Sequence, residues 1–243
     1  MTELSDPSDG AAPILITGAS SGIGRALAIE LARRGARLVL QGRDEARLEQ
    51  VRGAVDEAGG RSEVRALDLT DDDALDALAA SVAQGTDGLG ALVHSAGMVR
   101  LGPVADTDVA VLDAHYRLNL RAPYRLTRAL LGALERAEGH VVFINSGAGL
   151  HAHAAWSAYA ASKFGLRALA DSLRQEVAGR AVRVTTVYPG RTATPMQRDV
   201  HRQEERTYDP GAFVRPEDVA SQIAALLALR PPSVVTELTI RPA

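Results

Sequence analysis

Pro13-Ile-Leu-Ile-Thr-Gly18-Ala-Ser-Ser-Gly22-Ile-Gly24-Arg-Ala-Leu-Ala-Ile-Glu-Leu-Ala-Arg33 is the stretch on which the reading turns. A short apolar run ending in glycine reads as a buried parallel strand, and the segment after Gly24 has a helical apolar pattern. Glycines between strand and helix let the backbone approach a pyrophosphate closely. The helix N-terminus behind them offers free N–H groups and a positive dipole end. The spacing Gly-x-x-x-Gly-x-Gly differs from the Gly-x-Gly-x-x-Gly of the common dinucleotide fingerprint. An ordinary tight turn is the competing reading.

The same alternation continues. Strands are predicted at Ala36–Gly42, Glu63–Leu69, Gly90–Gly97, His140–Gly147, Val182–Gly190 and Ser233–Ile240. Helices are predicted from Asp44 to about Ala58, from a Thr70 N-cap backed by Asp71 to Asp73, from Thr107 to about Glu138 with a kink at Pro123, from Trp156 to about Ala178, and from Arg215. The fold class that follows is α/β: one doubly wound, mainly parallel, seven-stranded Rossmann-like sheet with helices on both faces, in a single domain over 12–243. Residues 1–11 read as a flexible acidic tail, and 190–210, polar and with two prolines, as a mobile lid. Ligands in such sheets collect beyond the carboxyl ends of the strands, where Gly18, Asp68, His94, Ser146 and Pro189 fall. His94 there reads as a hydrogen-bonded structural group. Arg43, after the second strand, opposes the dipole of the helix that follows unless it binds an anion such as a 2′-phosphate; a surface arginine compensated by Asp44 and Glu45 is the alternative.

Lys163 is the single lysine of the chain, four residues after Tyr159 in Tyr159-Ala-Ala-Ser-Lys163. In a helix that spacing puts both side chains on one face about 6 Å apart along the axis. An ammonium beside a phenol lowers its pKa and fits it for proton transfer; a solvated surface pair is the alternative.

Composition bounds the rest. The chain has 243 residues, 46% hydrophobic and 23% charged, with formal net charge −3, which suits one large soluble domain and gives no reason to expect nucleic acid or an anionic membrane as partner. There are no cysteines, which excludes disulfides, thiolate metal sites and cysteine nucleophiles and fits a cytoplasmic protein. No metal-ligand cluster is evident, and no apolar run approaches the length of a membrane span.

With these motifs in order, the chain resembles the short-chain dehydrogenase/reductase family from Ile14 to Ile240. Thr17-Gly18-Ala-Ser-Ser-Gly22-Ile-Gly24 is similar to the family's coenzyme loop, Tyr159-Ala-Ala-Ser-Lys163 to its Tyr-x-x-x-Lys, Ser146 to its catalytic serine and Asn119 to its catalytic asparagine. His94-Ser95-Ala96-Gly97 departs from the usual Asn-Asn-Ala-Gly, so altered hydrogen bonding around an intact site is expected there. The resemblance implies catalytic roles for Asn119, Ser146, Tyr159 and Lys163. It implies coenzyme contacts from Thr17, Gly18, Ser20, Ser21, Gly22, Ile23 and Gly24; from Arg43, Asp68 and Leu69; from Ser95, Ala96 and Gly97; from Tyr159 and Lys163; and from Pro189, Gly190, Thr192 and Thr194. Arg43 points to NADP(H) over NAD(H), although the basic residue sometimes found before the second glycine is replaced by Ser21.

The implied reaction is hydride transfer between a small-molecule carbonyl and a secondary alcohol. Tyr159 would be general acid/base, Ser146 would orient the carbonyl oxygen, Lys163 would tune Tyr159 and hold the ribose, and Asn119 would hold a relay water. Two other readings stand. One is a 3-oxoacyl thioester reductase meeting an acidic carrier protein through Arg191, Arg198, Arg202 and Arg206, diluted by Glu204 and Glu205. The other is a non-catalytic coenzyme-sensing or scaffold protein on the same fold. The substrate pocket is expected from Gly147–Trp156 and Arg191–Tyr208, with His151, His153 and Trp156 as substrate-reading or packing residues. The ending Glu237–Ala243 is similar to members acting on hydroxy acids or broad carbonyls. A homodimer or homotetramer is implied, packed through the face of Ala160, Phe164, Ala168 and Leu169.

Overall fold

A computed structural model describes residues 12–243, so the expected tail lies outside the described residues. Seven strands form one parallel sheet: β1 Ile14–Thr17, β2 Arg37–Gly42, β3 Arg61–Ala66, β4 Ala91–His94, β5 His140–Ile144, β6 Arg183–Pro189 and β7 Glu237–Ile240. Their order is β3-β2-β1-β4-β5-β6-β7, every adjacent pair parallel. Chain direction across the sheet reverses between β1 and β4, so a crevice opens at that point beyond the strand ends.

Strand side chains alternate between two apolar layers. Leu15, Leu92, Val141 and Phe143 face a cluster closed by α3 (Asp72–Gln84), α5 (Ala122–Arg136) and α6 (Ser157–Glu176), which contribute Leu78, Leu126, Leu130 and Leu166. Ile16, Val93, Val142 and Ile144 face a second cluster closed by α1 (Gly22–Ala32), α2 (Glu45–Glu57) and α8 (Pro216–Leu227), with Leu27, Val51 and Ile223. Burial on both faces is why these strands read as apolar runs rather than alternating ones.

One expectation is corrected in detail, and two gain structural detail. The N-cap of α3 is Asp71, not Thr70: its carboxylate accepts from the N–H groups of Asp73 and Ala74 (3.0 and 3.1 Å), while Thr70 is turned into the Asp68 side chain. The long helical region changes its winding just before Pro123. It runs through α4 (Val109–Tyr116) into a π-helical turn, Arg117–Arg121, and then into α5, where Pro123 sits in the first turn, a position that needs no N–H. The 190–210 span, expected as a lid, carries a helix. α7 (Pro195–Gln203) fills it, capped by Thr194 and packed through buried His201 against Tyr208 and Phe213.

Asp72 in the first turn of α3 pairs with Arg121 and, at 2.6 Å, with Arg125, tying α3 to α5. The Arg121 hydrogen bond holds its carboxyl down at about 2. That tie is complete above the usual carboxylate range and is lost as pH falls toward 2. Among the described residues no helix is long and apolar enough to cross a membrane.

Candidate active site

The crevice at the β1/β4 reversal is a cavity of about 720 Å³ running along the carboxyl ends of the strands. Its middle is the β1–α1 turn. Gly18 has φ +66°, and a Cβ there would lie 2.7 Å from Ala96 Cα; a Cβ on Gly24 would lie 2.4 Å from the Gly18 carbonyl oxygen. Only glycine lets this turn, the start of α1 and the β4 end come together. Ser21 is the N-cap of α1, but its side chain caps nothing and the first turn carries no acid. The leading N–H groups of α1, which have no intrahelical partner, therefore face the cavity uncompensated.

At one end of the cavity lie Arg43, after β2, and Asp68 and Leu69, after β3. The compensation expected for Arg43 is engaged elsewhere: Asp44 caps α2 and pairs with Arg47 at 3.1 Å. Arg43 has only a 4.0 Å approach to Asp68, with its side chain 73% exposed. Asp68 itself accepts from the N–H and hydroxyl of Thr70, both at 2.8 Å. An open helix end, a glycine-lined approach and a guanidinium without a close carboxylate fit a dinucleotide with a phosphate near Arg43.

At the other end buried side chains converge. Lys163 is 5% exposed, and its Nζ donates to the Ile144 carbonyl at the end of β5 (3.0 Å). Burial brings its pKa down to about 8. Tyr159 is 6% exposed; burial pushes its phenol up, with the Ser146 hydroxyl pulling the other way. This reverses the direction expected from Lys163. The ammonium is turned to Ile144, 5.8 Å from the Tyr159 ring centroid, and desolvation of the phenol dominates. Asn119, in the π turn, clamps the chain at Met98: its Oδ1 accepts from Met98 N–H (2.9 Å), and its Nδ2 donates to Met98 C=O and to Ser162 Oγ, both at 3.0 Å. A Cβ on Gly97 would lie 3.3 Å from Asn119 Oδ1 and 3.9 Å from Lys163 Nζ, which puts these three residues against one another.

Most residues expected to bind coenzyme line the cavity, including Ser20, Ser21, Gly22, Ile23, Ser95, Ala96, Gly97, Pro189, Gly190, Thr192 and Thr194. Thr17 and Gly24, and Asn119 of the expected catalytic set, do not, and each acts through a neighbour. Thr17 Oγ1 accepts from the N–H groups of Ser95 and Ala96 (3.1 and 3.2 Å), joining the ends of β1 and β4. Gly24 lets α1 start against Gly18, and Asn119 holds Met98. His94 is structural, as expected: its Nε2 meets Thr127 Oγ1 at 2.8 Å, its ring stacks on Phe143, and burial holds its pKa at about 3, so it is neutral.

Four buried polar residues escape a linear reading. Gln41 accepts from the Gly18 N–H (3.3 Å) and donates to the Leu67 carbonyl (2.9 Å), tying the ends of β1, β2 and β3. Asn145 accepts from Ser146 N–H and donates to the Lys163 carbonyl. Ser162 donates to the Tyr159 carbonyl (2.7 Å) while accepting from Asn119. His115 donates from Nδ1 to Val111 C=O, accepts at Nε2 from Arg100 N–H, and sets its ring edge against Tyr159. Gln41, in an otherwise apolar strand, and Ser162, inside the Tyr-x-x-x-Lys run, carried the visible signals.

His151, His153 and Trp156 line the cavity, and Trp156 meets the Tyr159 ring edge-on at 5.8 Å. The arginine patch proposed for a carrier protein is largely consumed. Arg191 pairs with Glu204 through two 2.8 Å contacts, Arg202 with Asp199 at 3.0 Å, and Arg198 lies over the Tyr208 ring.

Residues 12–205 match the family model described as short chain dehydrogenase. An "uncharacterized oxidoreductase" of Staphylococcus saprophyticus is 32% identical over 232 residues, spanning 94% of this chain and 96% of that protein. The sepiapterin reductase of Chlorobaculum tepidum is 32% identical over 237 residues, 94% of this chain and 95% of that protein. A metagenomic short-chain oxidoreductase solved in complex with NADP superposes with a TM-score of 0.82 at 34% identity, covering 96% of this chain and 98% of that one.

Proposed function

The chain belongs to the short-chain dehydrogenase/reductase family of NAD(P)-dependent oxidoreductases, and from that premise we propose that it reduces a carbonyl to a secondary alcohol, reversibly, with NADP(H) preferred over NAD(H). The observation that carries this reading is the convergence of Tyr159 and Lys163, both buried, with Ser146 and Gly97 at the end of the cavity opposite Arg43. A nicotinamide coenzyme supplies the hydride when bound. The chain's own residues do the rest. The α1 N-terminus, Gly18 and Gly22 receive the pyrophosphate, Arg43 receives the 2′-phosphate, and Lys163, with Asn145 fixing its backbone, holds the ribose. Ser146 Oγ donates to the substrate carbonyl oxygen and fixes it.

Tyr159, whose pKa is raised by burial, carries its proton at neutral pH and hands it to that oxygen as the carbon is reduced. A phenol held protonated suits the reductive direction. Asn119 spends its side chain on Met98 and Ser162, so its part in this reading is to position Tyr159 and Lys163 through Ser162. α7 is the wall that closes over the substrate. A dimer or tetramer packed through α5 and α6 belongs to the same reading: Tyr124 and Phe164 are exposed there, although Ala160 is already buried within the subunit.

The carrier-protein reading loses its support with the pairing of Arg191, Arg198 and Arg202. A scaffold has no use for a lysine desolvated enough to bring its pKa to about 8, since burial of that charge works against folding. The test is Tyr159→Phe. Carbonyl reduction is expected to fall about 10³-fold, with NADPH affinity and melting temperature close to wild type. Reduction at near wild-type rate overturns the assignment.

A further inference from the structure

The two ends of the cavity differ in charge. Among the described residues Asp68 is the only acidic one lining it, and Asp68 lies after β3, at the far edge of the sheet from β7. Among the lining cations, Arg43 shares the Asp68 end, Lys163 is tied to the Ile144 carbonyl and Arg191 is neutralised by Glu204. Arg241 remains. It follows β7, lines the cavity, and makes no hydrogen bond or ion pair among the described residues. Its backbone is nevertheless held: the Gly190 N–H donates to the carbonyl of Ile240 at 2.7 Å, and Gly190 and Pro242 line the cavity beside it.

Position decides what Arg241 serves. β2 and β7 are five strand steps apart and β1 and β7 four, about 24 and 19 Å at the usual inter-strand spacing. Arg241 is therefore remote from the Arg43 end; its Cα lies beside Gly190, where an added Cβ would meet it at 3.3 Å. It stands beside Gly190 at the end of β6, and shares the cavity with Ser146, two residues past β5, and with His151 and Trp156. The geometry points to Arg241 as the residue that selects an anionic substrate, a keto acid whose carboxylate is held by the guanidinium while its carbonyl reaches Ser146 and Tyr159. This rests on the reductase reading above and names the substrate class of that site. A planar guanidinium binds a carboxylate through two parallel hydrogen bonds, and a site built for such a pair rejects the uncharged analogue. Trp156, edge-on to Tyr159, offers an apolar surface for the carbon chain between the two groups.

The test measures binding of 4-oxopentanoate and 2-oxo-4-phenylbutanoate, each against its methyl ester, to the NADP⁺ complex of the protein. Turnover of the same compounds with NADPH is measured in parallel. Wild type is expected to bind at least one acid about 10-fold or more tighter than its ester. Arg241→Gln should reduce that preference to under about 2-fold and Arg241→Lys should restore part of it, with all variants matched in melting temperature. Equal binding of acid and ester by wild type, or a preference untouched by Arg241→Gln, overturns the inference. So does a loss confined to NADPH affinity, which would assign Arg241 to the coenzyme. An Arg241-dependent acid preference in binding with no turnover of either compound counts against the reductase reading and leaves only the carboxylate contact at Arg241 standing. Turnover of esters without acid preference does the reverse.

Discussion

The β1–α1 and β3–α3 connections occupy the same kind of place, each carrying a parallel strand into a helix at the rim of one cavity, yet they are built in opposite ways. At β3–α3 the chain satisfies itself. Asp68 folds the turn around Thr70, Asp71 caps the helix, and Asp72 and Asp73 fill its first turn. At β1–α1 the turn is tied to Gln41, but the helix end is left open: Ser21 caps nothing, no acid enters the first turn, and glycine at 18, 22 and 24 strips side chains from the approach. A helix end that only has to be stable is closed by its own carboxylates, whereas one that has to bind an anion is left open and forgoes that stabilisation.

Ser21→Asp converts the open end into a copy of the closed one and carries the largest effect expected at these helix starts. The carboxylate can accept from the leading N–H groups of α1, so the protein without coenzyme should be as stable as wild type or up to about 1 kcal/mol more stable. The same charge lies where the pyrophosphate must sit. At about 4 Å and an effective dielectric of about 20, the repulsion is on the order of 4 kcal/mol, which translates to a loss of at least about 100-fold in NADPH affinity. Calorimetric titration and thermal unfolding on one preparation read both. An affinity within about threefold of wild type would mean that the α1 terminus does not receive the phosphates.

Arg43 stands between these designs. Its helix is closed by Asp44, as α3 is by Asp71, but the arginine before the cap is not paired closely with anything. Arg43→Ala should lower the preference for NADP⁺ over NAD⁺, read as a ratio of dissociation constants, by about 10-fold, as expected for one exposed charge-assisted contact. An unchanged ratio removes Arg43 from the 2′-phosphate site and leaves it a surface residue.

What was legible in the chain follows from the same contrast. The strands, the glycine turn and the Tyr159/Lys163 pair are written in contiguous residues, and periodicity reads them without knowledge of the fold. The closing contacts depend on partners far along the chain. Gln41 works through Gly18 and Leu67, and Asn119 through Met98 and Ser162, so their roles exist only after the sheet has assembled. Asp71 replaced Thr70 as N-cap because the Asp68 carboxylate competes for the threonine. For Tyr159, spacing reports that two side chains share a face, not that one is desolvated and the other turned toward a carbonyl. The lid arginines looked like a patch because Glu204 and Asp199 meet them only once α7 has formed.

The smallest effect is expected where the chain closes its own helix. Asp71→Ala removes the acceptor for the Asp73 and Ala74 N–H groups. Loss of an N-cap costs about 1 kcal/mol, a fall of roughly 2–4 °C in melting temperature for a chain of this length. The penalty should not be much larger, because Asp72 and Asp73 remain in the first turn and Asp72 keeps its pairing with Arg125. Asp71→Asn, which retains the acceptor oxygen, should recover most of the loss. NADPH affinity should be unchanged in both, since Asp71 does not line the cavity. If Asp71→Ala instead weakened the coenzyme while leaving the melting temperature alone, the β3–α3 turn would be a second binding end, and the division of labour between the two helix starts would fail at the element that defines it.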